Sequence, residues 1–407
     1  MRPRSPIAFA AALVLLVSAL WFGQGVLQRR ANAQAAQAPR FTVDPFWPKP
    51  LPNNWRIGSA IGVWVDDQDV VWIVHRSSAT LLDEERGAEF DPPHGECCSG
   101  APPVLAFDQE GNLVHAWGGL PGEDYQGYPW PESNHGIFVD HLGYVWLGGN
   151  GAGDSHILKF TKDGTVVAQV GNANARANPG GAGFTRDSHD PDSFGRVAKL
   201  FVDPEANEVY VADGYFNKRV AVLDAQTGGM KRYWGAYGNP PDDDYVFGPQ
   251  GSDDQDPPRQ FRNPVHCADL ARDGLVYVCD RQANRIQVFE ADGTFVQEAF
   301  FAPRTLRSGS TWDIAFSRDA EQRYLYLVDG VNEKVRVVLR ETLEELTNFG
   351  AGGRQPGQFF GVHSIATDSL GNIYTTETYE GKRIQRFVNM GEGPVTVRDQ
   401  GVPWPVP

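Results

Sequence analysis

The sequence lacks what a helical protein needs. Only three of its 407 residues are methionine, and no long stretch is dominated by alanine, leucine, glutamate and lysine. No segment after residue 41 sustains a 3.6-residue apolar period, which excludes helical bundles. Basic charge is also scarce: 36 lysines and arginines face 51 acids, a formal charge of −15. The first 40 residues hold five arginines and no acid, so the remainder bears −20. Phosphate binding needs a basic surface, so no nucleic-acid partner is expected. The 41% hydrophobic content is enough for a real core and argues against disorder.

Turn formers are abundant instead. The 45 glycines and 29 prolines suit many short strands joined by turns. Arg2 and Arg4 precede an apolar run from Ile7 to about Phe22, and Ala31-Asn32-Ala33 offers a small-x-small cleavage site. Residues 1–33 therefore read as an export signal or, given Arg29 and Arg30, an uncleaved N-terminal anchor. Residues 34–54 read as a linker and lead-in, and 55–400 as one folded domain. The expected location is extracytoplasmic, periplasmic or secreted, with membrane contact only through that anchor. The chain is expected to act as a monomer.

What recurs after residue 41 is a pair of short β runs around a turn. His135-Gly-Ile-Phe-Val-Asp140 leads through Gly143 to Tyr144-Val-Trp-Leu147. His266 opens a run that turns at Gly274, and His363-Ser-Ile-Ala-Thr-Asp368 turns at Gly371. In all three the glycine stands eight residues after the histidine. Ile61, Lys199 and Trp312 open three further units. A third run follows each pair, as in Arg219-Val-Ala-Val-Leu223 and Arg285-Ile-Gln-Val-Phe289, and a fourth follows a turn. Six units of four antiparallel strands describe an all-β, six-bladed β-propeller with NHL-type blades.

Four cysteines fit an oxidising compartment. Cys267 and Cys279 are equidistant from Asp273 in a hairpin, so they form either a cross-strand disulfide or two buried thiols. Cys97 and Cys98 are adjacent, and bond either to each other or elsewhere.

The first residue of a blade's innermost strand lies at one mouth of the central channel. His135, His266 and His363 open alternate blades, which a six-fold ring relates by 120°. Three imidazoles converging on one axis form a metal site with an open fourth position, suited to zinc. Three polar residues lining a wet channel are the plainer alternative. The remaining histidines, including His94, His115, His141, His156 and His189, read as loop or surface residues. The second strand of each blade returns to the same mouth, bringing His75-Arg76, Asp213-Gly214-Tyr215 and Asp280-Arg281 toward the metal. Arg76 and Arg281 suit a carboxylate, and Tyr215 suits proton transfer. Otherwise the two arginines pair with Asp213 and Asp280, and Tyr215 packs. Asp213, Asp280 and Asp329 recur at one position and read as turn caps.

These residues resemble the peptidyl-α-hydroxyglycine α-amidating lyases. The matching stretches include Val71-Trp-Ile-Val-His-Arg76, Asn134-His-Gly-Ile137, Val211-Ala-Asp-Gly-Tyr-Phe-Asn217, Val278-Cys-Asp-Arg281 and Val362-His363. The resemblance runs from about 55 to 390, with insertions near 84–102, 172–194 and 239–258. It implies zinc on His135, His266 and His363, Tyr215 as catalytic base, and Arg76 and Arg281 in the active site. The substrate it implies is a small-molecule or peptide α-hydroxy amide, cleaved to an amide and glyoxylate or a related aldehyde. It also implies a structural calcium deeper in the channel, but the family's aspartate after the third histidine is Ser364 here. The family's Met-Pro before that histidine is Gly361-Val362. Two rivals stand beside this reading. One is a non-catalytic binding module using the acidic runs at 242–245 and 252–256. The other is a lactonase-type hydrolase holding calcium.

Overall fold

The computed structural model describes residues 37–176, 185–251, 257–395 and 399–405. The expected signal or anchor at 1–33 and the acidic run at 252–256 lie outside them. The described residues contain no α-helix, only short 3₁₀ turns. Their main sheets are six four-stranded antiparallel blades, as the repeat requires. The innermost strands are Ala60–Val65, Asn134–Val139, Lys199–Asp203, Val265–Leu270, Asp313–Phe316 and Val362–Thr367, in blades one to six.

Blade six departs from the expected boundaries. Its outermost strand is Gln37–Asp44, paired antiparallel with Arg383–Pro394. This part of the expected lead-in therefore belongs to the propeller, and the two ends of the ring are stitched by backbone hydrogen bonds.

The repeat has a physical basis. Asp66, Asp140 and Asp368 end inner strands, and each accepts two backbone N–H groups of the turn that follows. Their second oxygens take Trp72 Nε1, Trp146 Nε1 and Tyr374 Oη from the next strand. One carboxylate thus fixes both the turn and the buried aromatic behind it. Between second and third strands lies a buried ion pair: Arg219 with Asp213, Arg285 with Asp280 and Arg383 with Glu377, each at 2.8 Å, and Arg336 with Asp329 at 2.6 Å. The recurring aspartates are therefore structural, as their spacing suggests. Blade faces are covered by interleaved valine, isoleucine and aromatic clusters, as alternate inward faces of antiparallel strands require.

Both cysteine pairs are disulfides. Cys267 and Cys279 are direct cross-strand partners in blade four, and Cys97 bonds to its neighbour Cys98.

Candidate metal centre

A register shift marks the start of four inner strands. It falls between Ala60 and Gly62, Asn134 and Ile137, Val265 and Cys267, and Val362 and Ser364. A bulge leaves one residue unpaired and re-aims its side chain. Three of the four bulges carry His135, His266 and His363. Gly136 allows the packing this demands: a Cβ there would stand 2.7 Å from Ala198 O and 2.8 Å from Lys199 Cα.

The three rings converge. Their centroids are 4.9–5.1 Å apart, and one ligand atom of each lies within 4.8 Å of the others, all buried. Each Nδ1 is spent on a carbonyl of the next blade: His135 on Ala198 at 2.6 Å, His363 on Ile61 at 2.7 Å and His266 on Trp312. A carbonyl only accepts, so each Nδ1 carries the hydrogen and each Nε2 presents a lone pair. Burial, then Arg281, pulls His363 down to about 3. Burial and neighbouring charges hold His135 and His266 well below 6.5. The trio is therefore neutral, with tautomers fixed by the scaffold as in metal-binding histidines.

Tyr215 completes the cluster. Its hydroxyl lies 2.7 Å from His135 Nε2 and 3.1 Å from His266 Nε2. One O–H proton cannot serve both acceptors at once. Three converging lone pairs with a single hydrogen among them suit a cation better than a wet channel, so the donor set fits zinc. Arg281 Nη1 donates to Tyr215 Oη at 3.3 Å, and its guanidinium lies 4.5 Å over the Trp312 ring. Arg76 donates from Nη2 to Asn150 Oδ1 at 3.0 Å and from Nε to Asn134 O at 3.4 Å. Burial lowers its pKa, while Tyr215, Tyr379 and Asp154 act to raise it. Neither arginine pairs with Asp213 or Asp280, which hold Arg219 and Arg285 instead. All six expected residues meet at one mouth of the channel.

Two histidines depart from expectation. His156 is buried in blade two, with Nε2 2.9 Å from Pro129 O. His75 is buried too, but faces away from the trio. Its Nδ1 accepts from Gly58 and Ser77, and its carbonyl accepts from Asn134 Nδ2. It locks the turn that presents Arg76. The sequence reading missed Asn150 and Lys199. Asn150 carries no repeat signature, and Lys199, expected as the opening of blade three, stands one place later, at the position Ser364 holds in blade six, with Ala198 in the histidine position.

Lys199 decides the deeper site. Its ammonium lies 2.7 Å from Asp269, 2.6 Å from Asp313 and 3.3 Å from Ile314 O. Burial opposes the charge, but the two carboxylates outweigh it and raise the lysine pKa. Ser364 Oγ donates to the second oxygen of Asp313 at 2.5 Å. Lys199, Asp313 and Ser364 line a cavity of about 10 Å³ below the histidines, room for one water or ion. An ammonium there repels a dication, and both carboxylates are already paired. These residues do not fit the implied calcium. In the acidic insertion, Asp243 is spent internally on Ser188 N and Oγ.

No family model matches the chain. Similarity is to NHL-repeat proteins. NHL repeat-containing protein 3 of Mus musculus is 24% identical over 318 residues, 76% of this chain and 69% of that protein. Its Homo sapiens counterpart is 27% identical over 198 residues, 47% and 46% of the two chains. A Bacteroides thetaiotaomicron protein of unknown function aligns with TM-score 0.50 at 12% identity, over 88% of this chain and 76% of that one, a likeness of fold alone. A catalytically inactive virginiamycin B lyase from Staphylococcus aureus, crystallised with quinupristin, aligns at TM-score 0.46 and 13% identity, over 90% and 94% of the chains.

Proposed function

We propose that this NHL-type propeller is an extracytoplasmic zinc-dependent lyase that cleaves the C–N bond of an α-hydroxy amide, releasing an amide and glyoxylate or a related aldehyde. The observation that carries the reading is the three neutral imidazoles whose Nε2 lone pairs meet beside the Tyr215 hydroxyl. Zinc held by His135, His266 and His363 would supply a Lewis acid for the carbinol oxygen. Tyr215 takes the carbinol proton and returns one to the departing amide nitrogen. The C–N electron pair leaves with nitrogen while the carbinol carbon becomes a carbonyl, so no co-reactant is needed. Arg281, already donating to Tyr215, offsets charge that develops on the phenol oxygen. Arg76, held by Asn150, binds the substrate carboxylate. Two disulfides support an oxidising compartment.

The test is glyoxylate release from a synthetic α-hydroxyglycine amide by the zinc-loaded chain. Turnover that disappears in His266→Ala is expected. Equal turnover in His266→Ala, or none in the zinc-loaded wild type, overturns the reading.

A further inference from the structure

The channel has a second mouth, opposite the histidines. Three residues past Ile61, His135 and Ala198 stand Trp64, Phe138 and Phe201 in blades one to three, and three past His266, Trp312 and His363 stand Asp269, Ala315 and Ala366 in blades four to six. The aromatic half closes on itself, with ring centroids 4.2 Å apart for Trp64 and Phe138 and 5.1 Å for Phe138 and Phe201. The small side chains leave the other half open. The result is a cavity of about 440 Å³, walled by Trp64, Phe201 and Phe316. That volume is in the range of small-molecule sites. The Lys199 ion pairs lie between this cavity and the histidines, so the two mouths are separate sites.

Charge divides the rim. Arg272 and Arg318, from the turns of blades four and five, lie on one side, with Asp203 and Glu205 of blade three on the other. Arg272 Nη1 donates to Asp319 O at 3.0 Å, and Arg318 Nη2 donates to Thr367 O. Carbonyls hold both guanidiniums in position without neutralising them. Among the described residues neither makes an ion pair with a carboxylate. Arg318 is exposed, yet desolvation by the surrounding walls, then the charge of Arg272, lowers its pKa. Asp69 and Asp368 act on Arg318 from outside the cavity lining, and two like charges held side by side in one concavity favour an anion on that side.

We propose that this mouth binds a small aromatic carboxylate, its ring against Trp64 and Phe201 and its carboxylate between Arg272 and Arg318. The acidic blade-three side sets the orientation by repelling the anionic end. Nothing in this site depends on the chemistry assigned to the histidine mouth.

The probe is 1-naphthoate, titrated calorimetrically into the full chain, with 1-naphthylmethanol as its neutral counterpart. Saturable binding at one site per chain is expected, weakened about tenfold or more in Arg272→Gln/Arg318→Gln, which removes both charged donors. The alcohol is expected to bind at least tenfold more weakly. Ala366→Phe, which fills the cavity, is expected to abolish binding, with its thermal midpoint checked beside the wild type. Arg281→Gln, at the other mouth, should leave the affinity unchanged. Absence of saturable binding overturns the proposal. So does binding that survives the double arginine variant, or binding lost in Arg281→Gln.

Discussion

The hydroxyl of Tyr215 stands 2.7 Å from Nε2 of His135, the ring atom that faces the channel axis. The phenol therefore reaches the atom that would ligate a metal. This raises a question that substitution answers: whether Tyr215 is a ligand or acts on substrate. The proposed site has three imidazole ligands without it, so Tyr215→Phe should keep about one zinc per chain. Its turnover of an α-hydroxyglycine amide should fall by about 10²–10⁴, the usual range for removing a general acid or base. His135→Ala should lose the zinc with the blades intact by circular dichroism. Zinc lost from the phenylalanine variant would make the phenol a ligand and sink its role as proton carrier.

In the proposed reaction the two arginines divide the remaining work, and lysine substitutions separate them. Lysine keeps the charge but not the planar fork that grips a carboxylate. Arg76→Lys should raise KM about ten- to hundredfold for a substrate with a free carboxylate, and far less for its methyl ester. Arg281→Lys should lower kcat for acid and ester alike, because Arg281 bonds the Tyr215 hydroxyl. Equal KM penalties for acid and ester in Arg76→Lys would remove it from carboxylate binding.

The ring and its histidines were legible because a repeat turns distant residues into equivalents. His135, His266 and His363 share a position relative to a glycine eight residues on, and alternation supplies the three-fold axis. The bulges were not legible. They take each histidine out of the ladder, and they exist only once two strands pair. The closing strand left no local trace either, since Gln37 pairs with Pro394 across nearly the whole chain. His156 reads as a surface residue because its partner, Pro129 O, lies 27 positions away. Lys199 was visible as a blade opening, but its meaning depends on Asp269 and Asp313, which sequence alone does not bring near it.

Those carboxylates make Lys199 a test of the channel's cation. Lys199→Met leaves two buried acids without their ammonium, and breaking a buried pair in this way costs about 3–5 kcal/mol. Neutralising both acids as well, in Lys199→Met/Asp269→Asn/Asp313→Asn, should recover much of that loss. Calcium should leave the wild-type thermal midpoint unchanged, yet raise that of Lys199→Met by offering the freed carboxylates a cation. A calcium-dependent rise in the wild type would show that the ammonium does not exclude the ion.

Acid sensitivity has a specific source in blade three. Glu208 receives Arg232 at 2.7 and 2.5 Å, Lys231 at 2.5 Å and the Tyr210 hydroxyl at 3.1 Å. The Arg232 hydrogen bonds, against a smaller effect of burial, hold this carboxyl at about 2 rather than 4.5. A carboxyl depressed on folding stabilises the fold above its unfolded value, and that stability is lost as pH falls through the folded one. The window is therefore about pH 4.5 down to 2. Glu208→Gln keeps the shape and removes the charge. Its urea midpoint should lie below the wild type's at pH 7, and the gap should close as the pH approaches 2. A gap unchanged across that window would assign the loss to packing around Tyr210 instead of charge, because packing does not titrate.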